Sequence, residues 1–330
     1  MNISKVGRIL IMPAAGLGDM VMAAPVIRSL RVRFPDAHLA VLAHYTRGAD
    51  ELGQCMPYLD EVIDFPLKRY SWPCVIRFFL GSYWPMFRSL KKKRFDTAII
   101  LAANPIRTIL MKMLRPNKVF EVKGMGHPTR LGLELVGELG CSTEPLDFGF
   151  EVPEIDLEKT LPSSLPRPWI GIHPFSAMCW RQWNHFEQFI DRLKCHKGTI
   201  ILLGKSYNHN FISGILDLVN KLSVLELTCV INSLDILVSC DSGPMHIGFA
   251  VNTPTIALFG PVKPGLRVPL TNIVKHTILY IPTIESEKVR RIAERKNFNI
   301  SNIQQISAEA VFEAVKASMA KGKNDFSKNN

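Results

Sequence analysis

Close cysteine pairs, long apolar runs and a carboxylate metal box are all missing from this sequence. Seven cysteines (positions 55, 74, 141, 179, 195, 229 and 240) stand singly, with no Cys-x-x-Cys. That spacing excludes a zinc ribbon and a disulfide framework, and fits reduced thiols in a reducing compartment. No segment offers the roughly eighteen clean apolar residues that a membrane span needs. Lys5 and Arg8 precede an apolar stretch, and Met22-Ala23-Ala24 loosely resembles a cleavage site. Pro13, Gly16, Gly18 and Asp19 interrupt that stretch, leaving too little apolar core for a secretory signal. A soluble, cytoplasmic chain is expected. No Asp-x-Asp occurs, so no bound metal is expected.

Acidic residues are also scarce, and unevenly so. The chain has 40 Lys and Arg against 29 Asp and Glu, a net charge of +11. Such an excess points to an anionic partner: nucleic acid, a phosphorylated substrate or an acidic membrane surface. Between Pro66 and Arg94 there are eight basic residues and no acidic one, interleaved with Tyr70, Trp72, Phe78, Phe79, Tyr83, Trp84 and Phe87. Basic residues gathered among large aromatics, with no recognised nucleic-acid motif, argue against nucleic acid.

At 330 residues the chain suits two domains. Apolar runs of strand length alternate with segments of helical period, the pattern of βαβ units and parallel sheets. Strands are expected at Arg8–Met12, Leu39–Ala43, Glu61–Phe65, Thr97–Leu101 and Lys118–Glu121. A helix is expected from Asp19 to Arg33, kinked or restarted at Pro25, with others within 75–93 and 105–114. Prolines then cluster and periodicity fades. The second half reads as strand Trp169–His173, helix Phe186–Cys195, strand Thr199–Leu203, a helix across Phe211–Leu222, strand Ile236–Ser239, helix Gly243–Ala250 and strand Thr255–Phe259. The division expected is a first domain at 1–150, a linker at 151–168, a second domain at 169–306, a terminal helix at 307–320 capped by Ser307, and a disordered tail at 321–330.

Several strands end in turns that carry chemistry. After the first comes Pro13-Ala-Ala-Gly-Leu-Gly-Asp-Met20, where Gly16 and Gly18 allow a tight turn and close backbone approach. Asp19 opens the helix, either as a favourable charge at its N-terminus or as a base for an acceptor hydroxyl. Val21 stands where a dinucleotide fingerprint wants its third glycine. In the second half, Asp241, Ser242 and Gly243 form the turn into a helix bearing His246. Its N-terminus can hold a diphosphate, with Ser242 and backbone N–H groups as donors. His246 is either a structural residue or part of that site. Arg181, between Trp180 and Trp183, is either a phosphate clamp or an exposed residue beside two core rings. Leu203-Gly-Lys-Ser-Tyr-Asn208 ends a further strand and can face a nucleoside. Convergence of such turns at one sheet edge weighs more than any single motif.

On these residues the chain resembles the heptosyltransferases of glycosyltransferase family 9, inverting enzymes of GT-B fold that build the inner core of lipopolysaccharide from ADP-heptose. The marks are Gly16-Leu-Gly-Asp19 with Pro25 and the basic helix to Pro35, Arg94-Phe-Asp96, His173-Pro174, Arg181-x-Trp183, and Asp241-Ser-Gly-Pro-Met-His246 through Phe259-Gly-Pro261. The resemblance implies two Rossmann-like, doubly wound α/β domains facing across a cleft. It implies that Asp19 is the base, that Gly16 and Gly18 shape the turn beside acceptor or diphosphate, and that Asp241, Ser242, Gly243 and His246 bind the donor. Arg181 stands where the family usually carries a lysine, and Asn208 where some members carry a glutamate near the ribose. The implied partners are a nucleotide sugar, with no further cofactor and no metal, an anionic lipid-linked saccharide acceptor, and the cytoplasmic face of the inner membrane. Lys91, Lys92, Lys93 and Arg94 are then candidates for acceptor or membrane contact, or simply a solvated helix end. The alternatives are another nucleotide sugar on the same fold, or a nicotinamide-dependent oxidoreductase, which leaves the Asp241–His246 block unexplained.

Overall fold

The computed structural model describes residues 6–44, 48–65, 84–102, 104–195, 197–206, 212–282 and 302–326. The chain forms two compact units, Met1–Glu151 and Val152–Asn330.

The first unit is built on five parallel strands: β1 (Arg8–Met12), β2 (His38–His44), β3 (Glu61–Phe65), β4 (Thr97–Ile100) and β5 (Lys118–Glu121), in spatial order β3-β2-β1-β4-β5. Strands covered on both faces need continuous apolar sequence, and Ile9-Leu-Ile-Met12 is fully buried. Helix α1 (Leu17–Arg33) follows β1 and runs unbroken through Pro25. After α2 (Ala49–Gly53) come α3 (Trp84–Lys92), α4 (Pro105–Met113) and α5 (Pro128–Gly137). Phe87 and Leu90 of α3 and Ile106 and Leu110 of α4 pack on Leu10, Met12, Ala98 and Ile100. Asn104 caps α4, its side chain accepting from Ile106 N–H at 2.9 Å, with Pro105 placed where no N–H is needed.

The second unit has six parallel strands: β6 (Trp169–His173), β7 (Thr199–Leu202), β8 (Leu216–Asp217), β9 (Ile236–Cys240), β10 (Thr255–Phe259) and β11 (Thr277–Tyr280), in order β11-β10-β9-β6-β7-β8. Its helices are α6 (Phe186–Leu193), α7 (Val224–Ser233), α8 (Gly243–Ala250) and α9 (Ala308–Phe326). Phe189, Ile190 and Leu193 of α6 and Val311, Phe312 and Val315 of α9 cover one face of the sheet over Ile172, Ile200 and Leu202. Trp183 is buried and donates from its indole to the Ile306 carbonyl at 2.8 Å, so it belongs to the core.

Within each unit all strands are parallel, the first strand lying centrally between the second and the fourth. A shared device fixes that arrangement. An aspartate placed just before one strand reaches the opening N–H groups of its neighbour. Asp60, ahead of β3, accepts from Leu39 N–H at 2.7 Å. Asp96, ahead of β4, accepts from Gly7 and Arg8 N–H at 2.8 Å each. Asp235, ahead of β9, accepts from Trp169 N–H at 2.7 Å. Bonds to a charged acceptor are among the stronger ones, and here they set the register of each sheet at its amino edge.

Two expectations need correction, the helix across 211–222 and the tail at 321–330. Residues 212–222 are not helical: Gly214 and Asn220 adopt left-handed φ of 80° and 62°, and the stretch forms turns around the short strand β8. Asn220 is held there by hydrogen bonds with the backbone of Ser206. The helix lies further on, at α7, where Ser223 and Glu226 form a reciprocal capping box. The last helix continues to Phe326, so 321–326 are helical rather than part of a disordered tail; its start at Ser307, which accepts from Ala310 N–H, is as expected. The segment 152–168 carries no helix or strand and packs with the second unit, Pro166 accepting from the Thr199 hydroxyl at 2.7 Å.

Candidate functional site

In an open parallel sheet, ligands are taken up beyond the carboxyl ends of the strands where strand order reverses. In the first unit that point lies between β1 and β4. The chain leaves β1 through Pro13 and turns at Gly16, whose φ of 117° suits glycine and starts α1. Gly18 and Asp19 lie in the first turn of α1, both partly exposed. Met20 N–H closes that turn on the Gly16 carbonyl at 3.1 Å. Arg107 of α4 is buried at the same crevice, donating from Nη1 to the carbonyls of Pro13 at 3.3 Å and Ala102 at 3.1 Å, and so ties the ends of β1 and β4 together. Sequence reading missed Arg107; its only signal was a charged residue on the otherwise apolar face of an Asn-Pro-capped helix.

The basic cluster lies elsewhere. Lys91 and Lys92 end α3, and Arg94 follows with a left-handed φ of 50°; all three are exposed. Lys93 instead pairs with Glu61, which also meets His38 Nε2 at 3.1 Å. Burial raises the Glu61 pKa, but the hydrogen bonds and charges of Lys93 and His38 outweigh it and hold the carboxyl below its ordinary value. Glu61 and His38 begin β3 and β2, so the cluster sits at the amino edge of the sheet, opposite the edge carrying Asp19. The structure does not bring Lys91–Arg94 to Asp19.

In the second unit strand order reverses between β6 and β9, and there the expected residues converge. Asp241 leaves β9 almost fully buried, anchored by its N–H to the Leu258 carbonyl at 3.1 Å. Its Oδ2 lies 3.3 Å from Arg181 Nη1, and its Oδ1 lies 3.8 Å from Nε2 of buried His246. Arg181 ends a short 3₁₀ turn (Cys179–Arg181) and stacks over Trp180, its guanidinium carbon 4.5 Å from a ring centroid. Its Nε is buried without a hydrogen-bond partner. Ser242 is the N-cap residue of α8 and Gly243 its first helical residue, but the Ser242 side chain makes no capping hydrogen bond. Asn208 lies outside the described residues. Arg181, Asp241, Ser242, Gly243 and His246 thus form one cluster of cation, buried carboxylate and helix N-terminus, an arrangement suited to a polyanion.

His173 is the site residue whose use sequence reading did not find. It ends β6 in register with Ser239, and burial pushes its imidazole pKa down to about 4. Its Nδ1 lies 3.1 Å from Ser242 Oγ and 3.3 Å from Ser239 Oγ. Among the described residues no group of three or more His, Cys, Asp or Glu side chains is placed to hold a metal, and no helix is long and apolar enough to cross a membrane.

Two doubly wound α/β units, one carrying this anion-directed cluster, have the architecture of GT-B type glycosyltransferases. Solved structures share the fold: the glycosyl transferase family 9 protein of Veillonella parvula DSM 2008 superposes with a TM-score of 0.76 at 20% identity, over 96% of this chain and 98% of that one. The ADP-heptose lps heptosyltransferase II of E. coli gives 0.73 at 19% identity, over 96% and 99%. E. coli heptosyltransferase WaaC, solved with ADP-2-deoxy-2-fluoro heptose, gives 0.67 at 17% identity, over 94% and 99%. Residues 138–296 match the model of glycosyltransferase family 9 (heptosyltransferase). The chain therefore carries a glycosyltransferase family 9 domain and is a glycosyltransferase. By sequence it is 24% identical to lipopolysaccharide heptosyltransferase 2 of Escherichia coli K12, over 80% of this chain and 86% of that protein. It is 25% identical to lipooligosaccharide heptosyltransferase 2 of Haemophilus influenzae, over 95% and 99%.

Proposed function

We propose that this chain transfers heptose from ADP-heptose to a saccharide acceptor of the lipopolysaccharide inner core, with inversion and without a metal ion. The observation that carries the donor half is the Arg181–Asp241–His246 cluster beside the N-terminus of α8, where Ser242 makes no capping hydrogen bond. The likeness to a heptosyltransferase solved with an ADP-heptose analogue supports the choice of nucleotide. Arg181 and the start of α8 take the diphosphate and stabilise the negative charge that grows on it as the glycosidic bond breaks. Asp19 takes the proton from the acceptor hydroxyl as its oxygen attacks the anomeric carbon from the face opposite the leaving ADP. One displacement forms the new glycosidic bond, breaks the old one and inverts the centre.

The acceptor is anionic and lipid-linked, and the chain meets it at the cytoplasmic face of the inner membrane. Exposed Lys91, Lys92 and Arg94 supply a basic surface for anionic lipid. Their place at the amino edge favours lipid over the reacting end of the acceptor.

Calorimetry with ADP-heptose, UDP-N-acetylglucosamine and NAD tests the donor. Selective uptake of ADP-heptose without added metal is expected. Preference for the uridine sugar would move the assignment to another donor, and uptake of NAD alone would overturn it. For the base, Asp19→Asn is expected to lower kcat by about a hundredfold or more, and activity near that of the unaltered chain would remove Asp19 from the mechanism.

A further inference from the structure

Ser242 occupies the N-cap position of α8 with extended backbone, φ −159° and ψ 176°. Serine is favoured there because its oxygen accepts a hydrogen bond from the second or third helical N–H. Pro244, in second place, has no N–H, so a capping Ser242 would take the N–H of Met245. It does not. Its hydroxyl lies 3.0 Å from the Cys240 carbonyl, to which it donates, and 3.1 Å from His173 Nδ1. The Ser239 hydroxyl donates to the same carbonyl at 3.0 Å and lies 3.3 Å from the same nitrogen. With both hydroxyl hydrogens directed at the carbonyl, the ring meets the two serine oxygens with Nδ1–H. Gly204 makes room for this ring: a Cβ there would lie 2.3 Å from His173 Cδ2 and 2.6 Å from Nε2.

We propose that His173 is a positioning residue for the donor: by donating from Nδ1 to Ser242 Oγ, it turns that hydroxyl away from α8 and keeps the first-turn N–H groups of Gly243 and Met245 open to a diphosphate. The proposal rests on the assignment of the α8 N-terminus to the diphosphate. The strand-ending histidine thereby acts on the donor through Ser242.

The test is calorimetry of the full chain with ADP and with inorganic pyrophosphate. In His173→Leu, Ser242 is released to cap α8, and affinity for both probes falls about tenfold, the scale of a serine cap. Removing the hydroxyl as well, in His173→Leu/Ser242→Ala, restores affinity to that of Ser242→Ala alone. A double variant as weak as His173→Leu would overturn the proposal, because loss of structure is not repaired by a second deletion. If His173→Leu does not fold, His173→Asn and His173→Gln carry the same comparison. Asparagine places its amide N–H at the Nδ1 position and retains affinity, whereas glutamine reaches the Nε2 position and loses it; equal affinities would again overturn it. If the unaltered chain binds neither ADP nor pyrophosphate, the diphosphate assignment itself falls and takes this proposal with it. Binding by the unaltered chain with the wrong order among variants removes only the role of His173.

Discussion

Arg181 and Asp241 form an ion pair whose two members differ in access to water: Nη1 and Oδ2 are 3.3 Å apart, with the arginine side chain 22% exposed and the aspartate side chain 2%. The carboxylate is held in place by its neighbours, while the guanidinium keeps donors to offer an incoming anion. Arg181→Met should leave the buried charge of Asp241 uncompensated and cost about 3 kcal/mol of stability. The double variant Arg181→Met/Asp241→Asn should recover most of that stability without recovering affinity for ADP. Urea denaturation and calorimetry on the same samples separate the two effects.

Two glycines with left-handed backbone should respond differently to a methyl group. Gly214 has φ 80°, and a Cβ added there would meet nothing within 4 Å, so Gly214→Ala should cost about 1 kcal/mol from the backbone alone. Gly204, at φ 115°, also meets the ring of His173, so Gly204→Ala should cost at least about 2 kcal/mol and weaken ADP binding. Equal losses for the pair in chemical denaturation would show that the His173 contact is not tight.

Stability should depend on pH through two buried histidines. Burial lowers the pKa of His173 and of His276, where Lys275 adds to the effect, from an ordinary 6.5 to about 4. Neither ring nitrogen of His276 has a hydrogen-bond partner, and the ring meets Phe249 edge-on at 4.7 Å. Between pH 6.5 and 4 the unfolded chain therefore binds more protons than the folded one. Stability is full above about pH 6.5 and declines as pH falls toward 4, by up to about 3 kcal/mol for each histidine. His276→Leu should shrink the difference between urea midpoints at pH 7.5 and pH 5; an unchanged difference would exclude this residue as a source.

Asp96 accepts two backbone hydrogen bonds, so Asp96→Ala should destabilise the chain by about 2 kcal/mol and Asp96→Asn by less. ADP affinity of the folded variant should not change, since every donor contact assigned above lies in the other unit.

Much of this architecture was legible in the sequence because parallel strands covered on both faces are written as short apolar runs. Arg8–Met12, Trp169–His173 and Thr255–Phe259 are found where such runs predict them. The cluster of Arg181, Asp241 and His246 was visible as polar turns following strands, since strand direction alone sends those turns to one edge. What escaped was local. The stretch 212–222 has helix-like spacing of apolar residues, yet Gly214 and Asn220 impose left-handed turns that periodicity does not register. The Ser223–Glu226 box is the better helix signal and lies one segment further on. The tie from Arg107 to Pro13 and the pairing of His173 with Ser242 could not be read, because each joins residues far apart in sequence through distances that only the folded sheets define. Asp96 stands within a family mark, but its work is to hold β1 in register.

The aspartates ahead of β3, β4 and β9 have a consequence for how the two rims can be altered. They place charged contacts that fix strand register at the amino rim of each unit, away from the turns that follow the strands. The turns that follow β6, β7 and β9 lie at the other rim, so the Asp235 contact that sets the register of β6 does not depend on them. Exchanging those turns between relatives is therefore expected to leave the strand order of the second unit intact.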